Sequence, residues 1–158
     1  MKTHQIITPV TIAEEHELGD TDSWLVQTAK AACRNAYAPY SHFRVGAAAL
    51  LEDGTIVTGA NQENVAYPSG LCAERTAIFA AQAAHPELAI DALAVAACDE
   101  NGLTSRPVTP CGACRQVMAE VERRYGRHMR LLLCGSEHVY VIERSTDLLP
   151  LSFGDSTL

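Results

Sequence analysis

Residues 72–98 read CAERTAIFAAQAAHPELAIDALAVAAC, and this stretch decides the fold. The segment 73–84 is rich in alanine and free of Gly and Pro, which predicts a helix starting near Cys72 and stopping before Pro86. Residues 90–98 follow as an almost unbroken apolar run of strand length, the pattern of a strand buried on both faces. A helix joined to a buried strand by a short connection is the building unit of a layered α/β domain.

The flanking chain extends the same reading. Residues 43–51 (FRVGAAALL) and 55–60 (TIVTGA) flank Glu52-Asp53-Gly54, and Asp-Gly between two apolar runs predicts a hairpin. Upstream, Thr21-Asp22-Ser23 offer capping residues, and Leu25, Ala29, Ala32, Cys33 and Ala36 recur at helical spacing. That helix is expected to end near Ala38, because Pro39 follows, and Trp24 reads as its anchor in the core. Downstream, 112–124 predicts a third helix opening at Pro110-Cys111-Gly112. Residues 129–134 (MRLLLC) and 138–143 (HVYVIE) predict two strands around the turn Gly135-Ser136-Glu137. A short helical piece is expected near Ser145–Leu149. The order is α, β, β, α, β, α, β, β, which implies a mixed sheet with helices on its faces.

Composition sets the outer limits. The chain has 158 residues, 47% of them hydrophobic, enough for one domain with a real core. We expect a single domain over 1–158, with residues 1–20 a polar arm carrying Glu14, Glu15, Glu17 and Asp20. Twelve Lys and Arg against 19 Asp and Glu give a net charge of −7, which disfavours nucleic acid and anionic membranes as partners. No apolar stretch approaches the roughly 18 residues of a membrane span, and residues 1–20 lack the apolar run of a secretion signal.

Six cysteines stand at 33, 72, 98, 111, 114 and 134, and with no secretion signal they read as reduced thiols of a cytoplasmic protein. Cys33, Cys98 and Cys134 fall in apolar helix or strand positions and read as small core residues. Cys111-Gly112-Ala113-Cys114 alone would suit a redox dithiol or half of a structural zinc site. Cys72 followed two residues later by Glu74 narrows the choice. Three protein ligands leave a fourth tetrahedral position open, the mark of catalytic zinc, and a neighbouring carboxylate can then move protons. All three thiols fall in the first turns of two predicted helices, where unpaired N–H groups and the helix dipole favour thiolate.

Cys72 and Glu74, then Pro110-Cys111 and Cys114, resemble the signature of zinc nucleobase deaminases in its three-cysteine form. Four ordered blocks make the resemblance close: AYAPYSHFRVGAA (36–48), GANQENVAYPSGLCAERTA (59–77), PCGACRQVMAE (110–120) and LLPLSF (148–153). On these blocks, spread over residues 24–153, the chain resembles the small, homotetrameric, three-cysteine type of cytidine deaminase. The resemblance implies a three-layer α/β/α sandwich with a five-stranded mixed sheet. It implies one Zn²⁺ per chain on Cys72, Cys111 and Cys114, with Glu74 as the catalytic proton shuttle and Arg75 donating hydrogen bonds to the ligand sulfurs.

It further implies that Phe43 packs against the base, that Asn61 and Glu63 bond the ribose, and that main-chain groups at Ala73 and Cys111 meet the base edge. Tyr67, Val65 and Phe153 match positions lent to a neighbouring subunit's site in a homotetramer with shared active sites. Val65 stands where many members have Ala, and Gln62 where many have an aliphatic residue. The implied activity is deamination of cytidine and 2′-deoxycytidine in pyrimidine salvage. Competing readings are a deaminase of a modified cytosine nucleoside such as blasticidin S, a polynucleotide cytosine deaminase, and an inactive zinc-binding scaffold.

Overall fold

The computed structural model describes residues 1–154. Seven strands form one sheet: β1 (Thr11–Ala13), β2 (Arg44–Leu51), β3 (Ile56–Ala60), β4 (Ile90–Asp99), β5 (Gly102–Leu103), β6 (Arg130–Cys134) and β7 (Val139–Ile142). Three α-helices among the described residues, α1 (Asp20–Ala32), α2 (Ala73–Ala84) and α3 (Gly112–Tyr125), pack on the sheet. The spatial order is β1-β7-β6-β4-β2-β3, with β5 paired to the end of β4. Among the described strands, β4 and β6 run parallel, joined through α3, and the other strand pairs are antiparallel. The mixed α/β sheet is as expected, but it has seven strands rather than five. The additional two are the three-residue β1 and the two-residue β5. Both are too short for a period-two pattern to register in the sequence.

The apolar runs are explained by burial on both faces. Leu93 and Val95 of β4, Leu131 and Leu133 of β6, and Ala47 and Ala49 of β2 face α2 and α3. Their alternating neighbours Ala92, Ala94, Ala96, Leu132 and Ala48 face α1. Leu131, Leu132 and Leu133 are all fully buried, and each contributes about 2 kcal/mol of apolar transfer free energy. The α1 face of β2 and β4 is built of alanines, and Gly46 completes it. A methyl group on Gly46 would fall 2.3 Å from the Ala29 carbonyl oxygen, so α1 lies directly on the strand.

Two expectations for α1 fail. Trp24 is 60% exposed rather than a core anchor, because Leu25, Val26 and Ala29 occupy the sheet-facing side and Trp24 sits beyond its edge. The α-helix also stops at Ala32, followed by a 3-10 turn over Cys33–Asn35, short of Ala38. Tertiary pairing takes over there: the Tyr37 N–H donates to the Asn61 carbonyl at 3.0 Å, and the Glu63 N–H donates to the Tyr37 carbonyl at 2.8 Å. Residues 36–43 thereby become a wall of the site. The end of α3 is conventional, with Gly126 at φ 63° accepting the left-handed conformation that closes many helices. Among the described residues, no helix is long and apolar enough to cross a membrane.

Candidate active site

The site forms where the N-termini of α2 and α3 meet. Cys72 is the N-cap of α2 and Cys111 the N-cap of α3, both in extended backbone conformation. Cys114 lies in the first turn of α3. Neither thiol caps a backbone N–H of its own helix, so both remain available beside free N–H groups. The Cys72 and Cys111 sulfurs are 3.7 Å apart and those of Cys111 and Cys114 are 3.4 Å apart. All three sulfurs lie within 4.8 Å of one another.

This donor set fits zinc. Zn–S bonds of about 2.3 Å in a tetrahedron place sulfurs about 3.8 Å apart, close to the spacing found. The thiols also differ in a useful way. The Cys72 thiol is held down to about 5 by hydrogen bonds from Cys114, Arg75 and Cys111 that outweigh partial burial. Cys114 is pushed up, first because its proton is held on Cys72 and then by burial. A divalent metal bound to the cluster would favour the thiolate form of all three residues. Arg75 sits one turn into α2, its guanidinium 3.7 Å from the Cys72 sulfur and 3.4 Å from the Gly70 carbonyl. It offsets part of the thiolate charge.

Glu74 is the second residue of α2 and only 5% exposed. Burial is the largest cause of the raised pKa of its carboxyl, and the Cys72 charge adds to it. The helix N-terminus does not overcome this. A carboxyl poised to hold a proton beside the thiol cluster suits a proton carrier.

A cleft of about 370 Å³ opens over the cluster, within the range of small-molecule sites. Cys72, Cys111 and Glu74 form its floor, and Phe43, Asn61, Glu63 and Tyr67 its walls. Val45, Val95 and Val108 add an apolar lining that the sequence did not single out. A larger hollow, about 510 Å³, lies beside Gln116, His128 and Phe153. Its buried carboxylate, Glu122, is already satisfied by Ser145, Thr146, His128 and the Met129 N–H, so it offers little to a ligand.

The walls are tied down by hydrogen bonds. Asn61 accepts from the Val45 N–H at 2.8 Å and donates to the Phe43 carbonyl at 2.9 Å. Glu63 accepts from the N–H groups of Tyr40 at 3.0 Å and Ser41 at 3.3 Å, and from the Ser41 hydroxyl. The Ser41 hydroxyl is the main reason the Glu63 carboxyl sits below its ordinary range. Tyr67 stands at the rim, packed edge-on to Tyr40 with ring centroids 5.4 Å apart.

The structure thus brings Phe43, Asn61, Glu63, Tyr67, Cys72, Glu74 and Cys111 to one cleft, with Cys114 buried beneath it. Ala73 is fully buried in the core behind the cleft. Phe153 lies outside the chain's own cleft, against Gln116 and 64% exposed, and Val65 is 83% exposed. Among the other cysteines, Cys33 and Cys134 are buried, with thiols pushed up to about 12 chiefly by desolvation, and Cys98 is half-buried. Sequence reasoning overlooked Ser41 and Arg115. Arg115 donates to the carbonyls of Pro110 and Leu148, both at 2.8 Å, and so pins the Cys111 loop to the C-terminal segment. Ser41 carried one readable signal: a serine bonding the N–H two residues on, here Phe43 at 3.1 Å, is a recurrent local turn.

Comparison with known proteins agrees with this geometry. Residues 20–125 match the family described as the cytidine and deoxycytidylate deaminase zinc-binding region. The chain is 50% identical over 97 residues to a cytidine deaminase of Halalkalibacterium halodurans, covering 61% of this chain and 69% of that one. It is 42% identical over 123 residues to a cytidine deaminase of Mycobacterium tuberculosis, covering 78% of this chain and 82% of that one. The crystal structure of cytidine deaminase from Burkholderia pseudomallei superposes with a TM-score of 0.70 at 42% identity, over 82% of this chain and 97% of that one.

Proposed function

The chain belongs to the cytidine and deoxycytidylate deaminase family, and from that premise we infer that it hydrolyses cytidine and 2′-deoxycytidine to the uridine nucleosides and ammonia. One observation carries the reading. Three clustered thiols, Cys72 and Cys111 on the floor of a nucleoside-sized cleft and Cys114 beneath it, stand beside one buried carboxyl that is not among them. Cys72, Cys111 and Cys114 would hold the zinc. When bound, it supplies a water acidic enough to act as a nucleophile near neutral pH.

The remaining chemistry falls to the chain. Glu74 takes the proton of the attacking water and delivers it to ring N3, then helps protonate the departing amino group. One water enters and one ammonia leaves, so no redox partner is needed. Phe43 packs against the base, and main-chain groups at Cys111 meet its edge, while Ala73, enclosed in the core, backs the cleft. Asn61 and Glu63 bond ribose hydroxyls. The anionic Glu63 accepts a hydroxyl but repels a phosphate, which favours nucleosides over nucleotides. Arg75 steadies the ligand sulfurs.

We read residues 1–158 as one deaminase domain, with a polar arm over 1–20, working in the cytoplasm as a homotetramer. Supporting the assembly, Val65, Tyr67 and Phe153 are large, exposed and matched to family positions that serve a neighbouring site. The net charge of −7 and Glu63 argue against a polynucleotide substrate. Purified protein mixed with cytidine should release uridine and ammonia in equal amounts. Turnover of blasticidin S with cytidine untouched would transfer the reading to a modified nucleoside.

A further inference from the structure

We propose that Ser41 is a positioning residue that couples sugar recognition to base recognition. The proposal rests on the nucleoside-deaminase reading of the cleft and deepens it.

The hydroxyl of Ser41 has one proton and accepting lone pairs, and the structure uses both functions. It donates to Glu63 Oε1 and accepts from the Phe43 N–H at 3.1 Å. It is therefore a direct bridge between the carboxylate assigned to the ribose and the backbone of the ring assigned to the base.

The two ends are held differently. Glu63 Oε2 receives the N–H groups of Tyr40 and Ser41, whereas Oε1 is oriented by the Ser41 hydroxyl. Oε1 keeps a lone pair for a sugar hydroxyl. Phe43 is gripped at both of its peptide groups by side chains, its N–H by Ser41 and its carbonyl by Asn61 at 2.9 Å. Asn61, Phe43, Ser41 and Glu63 form one hydrogen-bonded chain along the cleft wall. His42, between Ser41 and Phe43, has φ at 56°, an uncommon conformation for a residue other than glycine. The hydroxyl at 41 is what holds Oε1 and the Phe43 N–H together across this turn.

Removing the hydroxyl leaves Glu63 anchored by Oε2 alone and frees the Phe43 N–H. Neither change touches the thiols or Glu74, so substrate binding should suffer more than the chemical step. The experiment is a double-mutant cycle on cytidine deamination with Ser41→Ala, Glu63→Ala and the double variant, and with Ser41→Thr as the rescue. Ser41→Ala should raise KM about tenfold, the loss of roughly one good hydrogen bond, with kcat within about twofold. In the Glu63→Ala background the same change should cost less than about twofold, and Ser41→Thr should recover most of the loss. A wild-type KM in Ser41→Ala, or an equal loss in both backgrounds, overturns the coupling while the deaminase reading stands. A wild-type protein inert toward cytidine overturns both.

Discussion

Gly59 lies so close to α2 that a methyl group on it would sit 2.3 Å from the Ala77 amide nitrogen. It would also meet the Ala73 carbonyl oxygen at 2.6 Å. Strand β3 and helix α2 therefore touch backbone to backbone, and the helix that presents Cys72 and Glu74 rests on that contact. Gly59→Ala must displace a helix rather than a flexible side chain. We expect a loss of about 2–4 kcal/mol in unfolding free energy together with weaker zinc retention, read by thermal unfolding and by metal analysis after dialysis. Unchanged stability and metal content would show that α2 can shift freely.

The thiols divide into two groups by place. Cys114 belongs to the cluster, whereas Cys134 faces α1 with its thiol near 12. Cys114→Ala should lose zinc and, with it, folding free energy. Cys134→Ala should keep one zinc per chain and cost only the small side-chain deletion, about 1 kcal/mol. Metal analysis of the two variants separates them, and full zinc in Cys114→Ala would remove that residue from the ligand set.

Glu122 provides a pH test away from the site. Burial opposes its charge, yet hydrogen bonds from Ser145, His128, Met129 and Thr146 prevail, and its carboxyl lies below the ordinary 4.5. A carboxyl lowered on folding stabilises the protein above its ordinary value, and that stabilisation is lost as pH falls through the folded value. Glu122→Gln should be less stable than wild type by about 1–2 kcal/mol at pH 7, a few degrees in Tm. The gap should narrow below about pH 4. Zinc loss in acid affects both proteins alike, so the difference between the two curves is the measurement. A gap that persists unchanged in acid would mean that shape, not charge, holds this junction.

What could be read in advance follows from how local each signal is. The meeting of Cys72, Glu74, Cys111 and Cys114 was legible because these residue types stand at spacings of two and three at helix starts. The buried strands β4 and β6 were legible because burial on both faces forces a continuous apolar run. The end of α1 at Ala32 was not, because the competing partner of Tyr37 is Asn61, far along the chain. Strand β1 exists through its pairing with β7, Thr11 opposite Val141, which a three-residue segment of a polar arm does not announce. Trp24 misled because a lone tryptophan beside an apolar stripe looks like core, while alanines and Gly46 bring α1 too close to the sheet to admit it. Ser41 escaped notice because its partner Glu63 lies in another loop.

The proposed function depends above all on Glu74 moving the protons while the thiols alone hold the metal. The most direct test sets wild type beside Glu74→Gln, with zinc quantified in both and uridine and ammonia followed after adding cytidine. The account predicts one zinc per chain in each, equimolar uridine and ammonia from wild type, and turnover lower by about 10³-fold in the variant. Near-equal rates would contradict the proton-carrier role, and a fully zinc-loaded wild type that leaves cytidine unchanged would contradict the account as a whole.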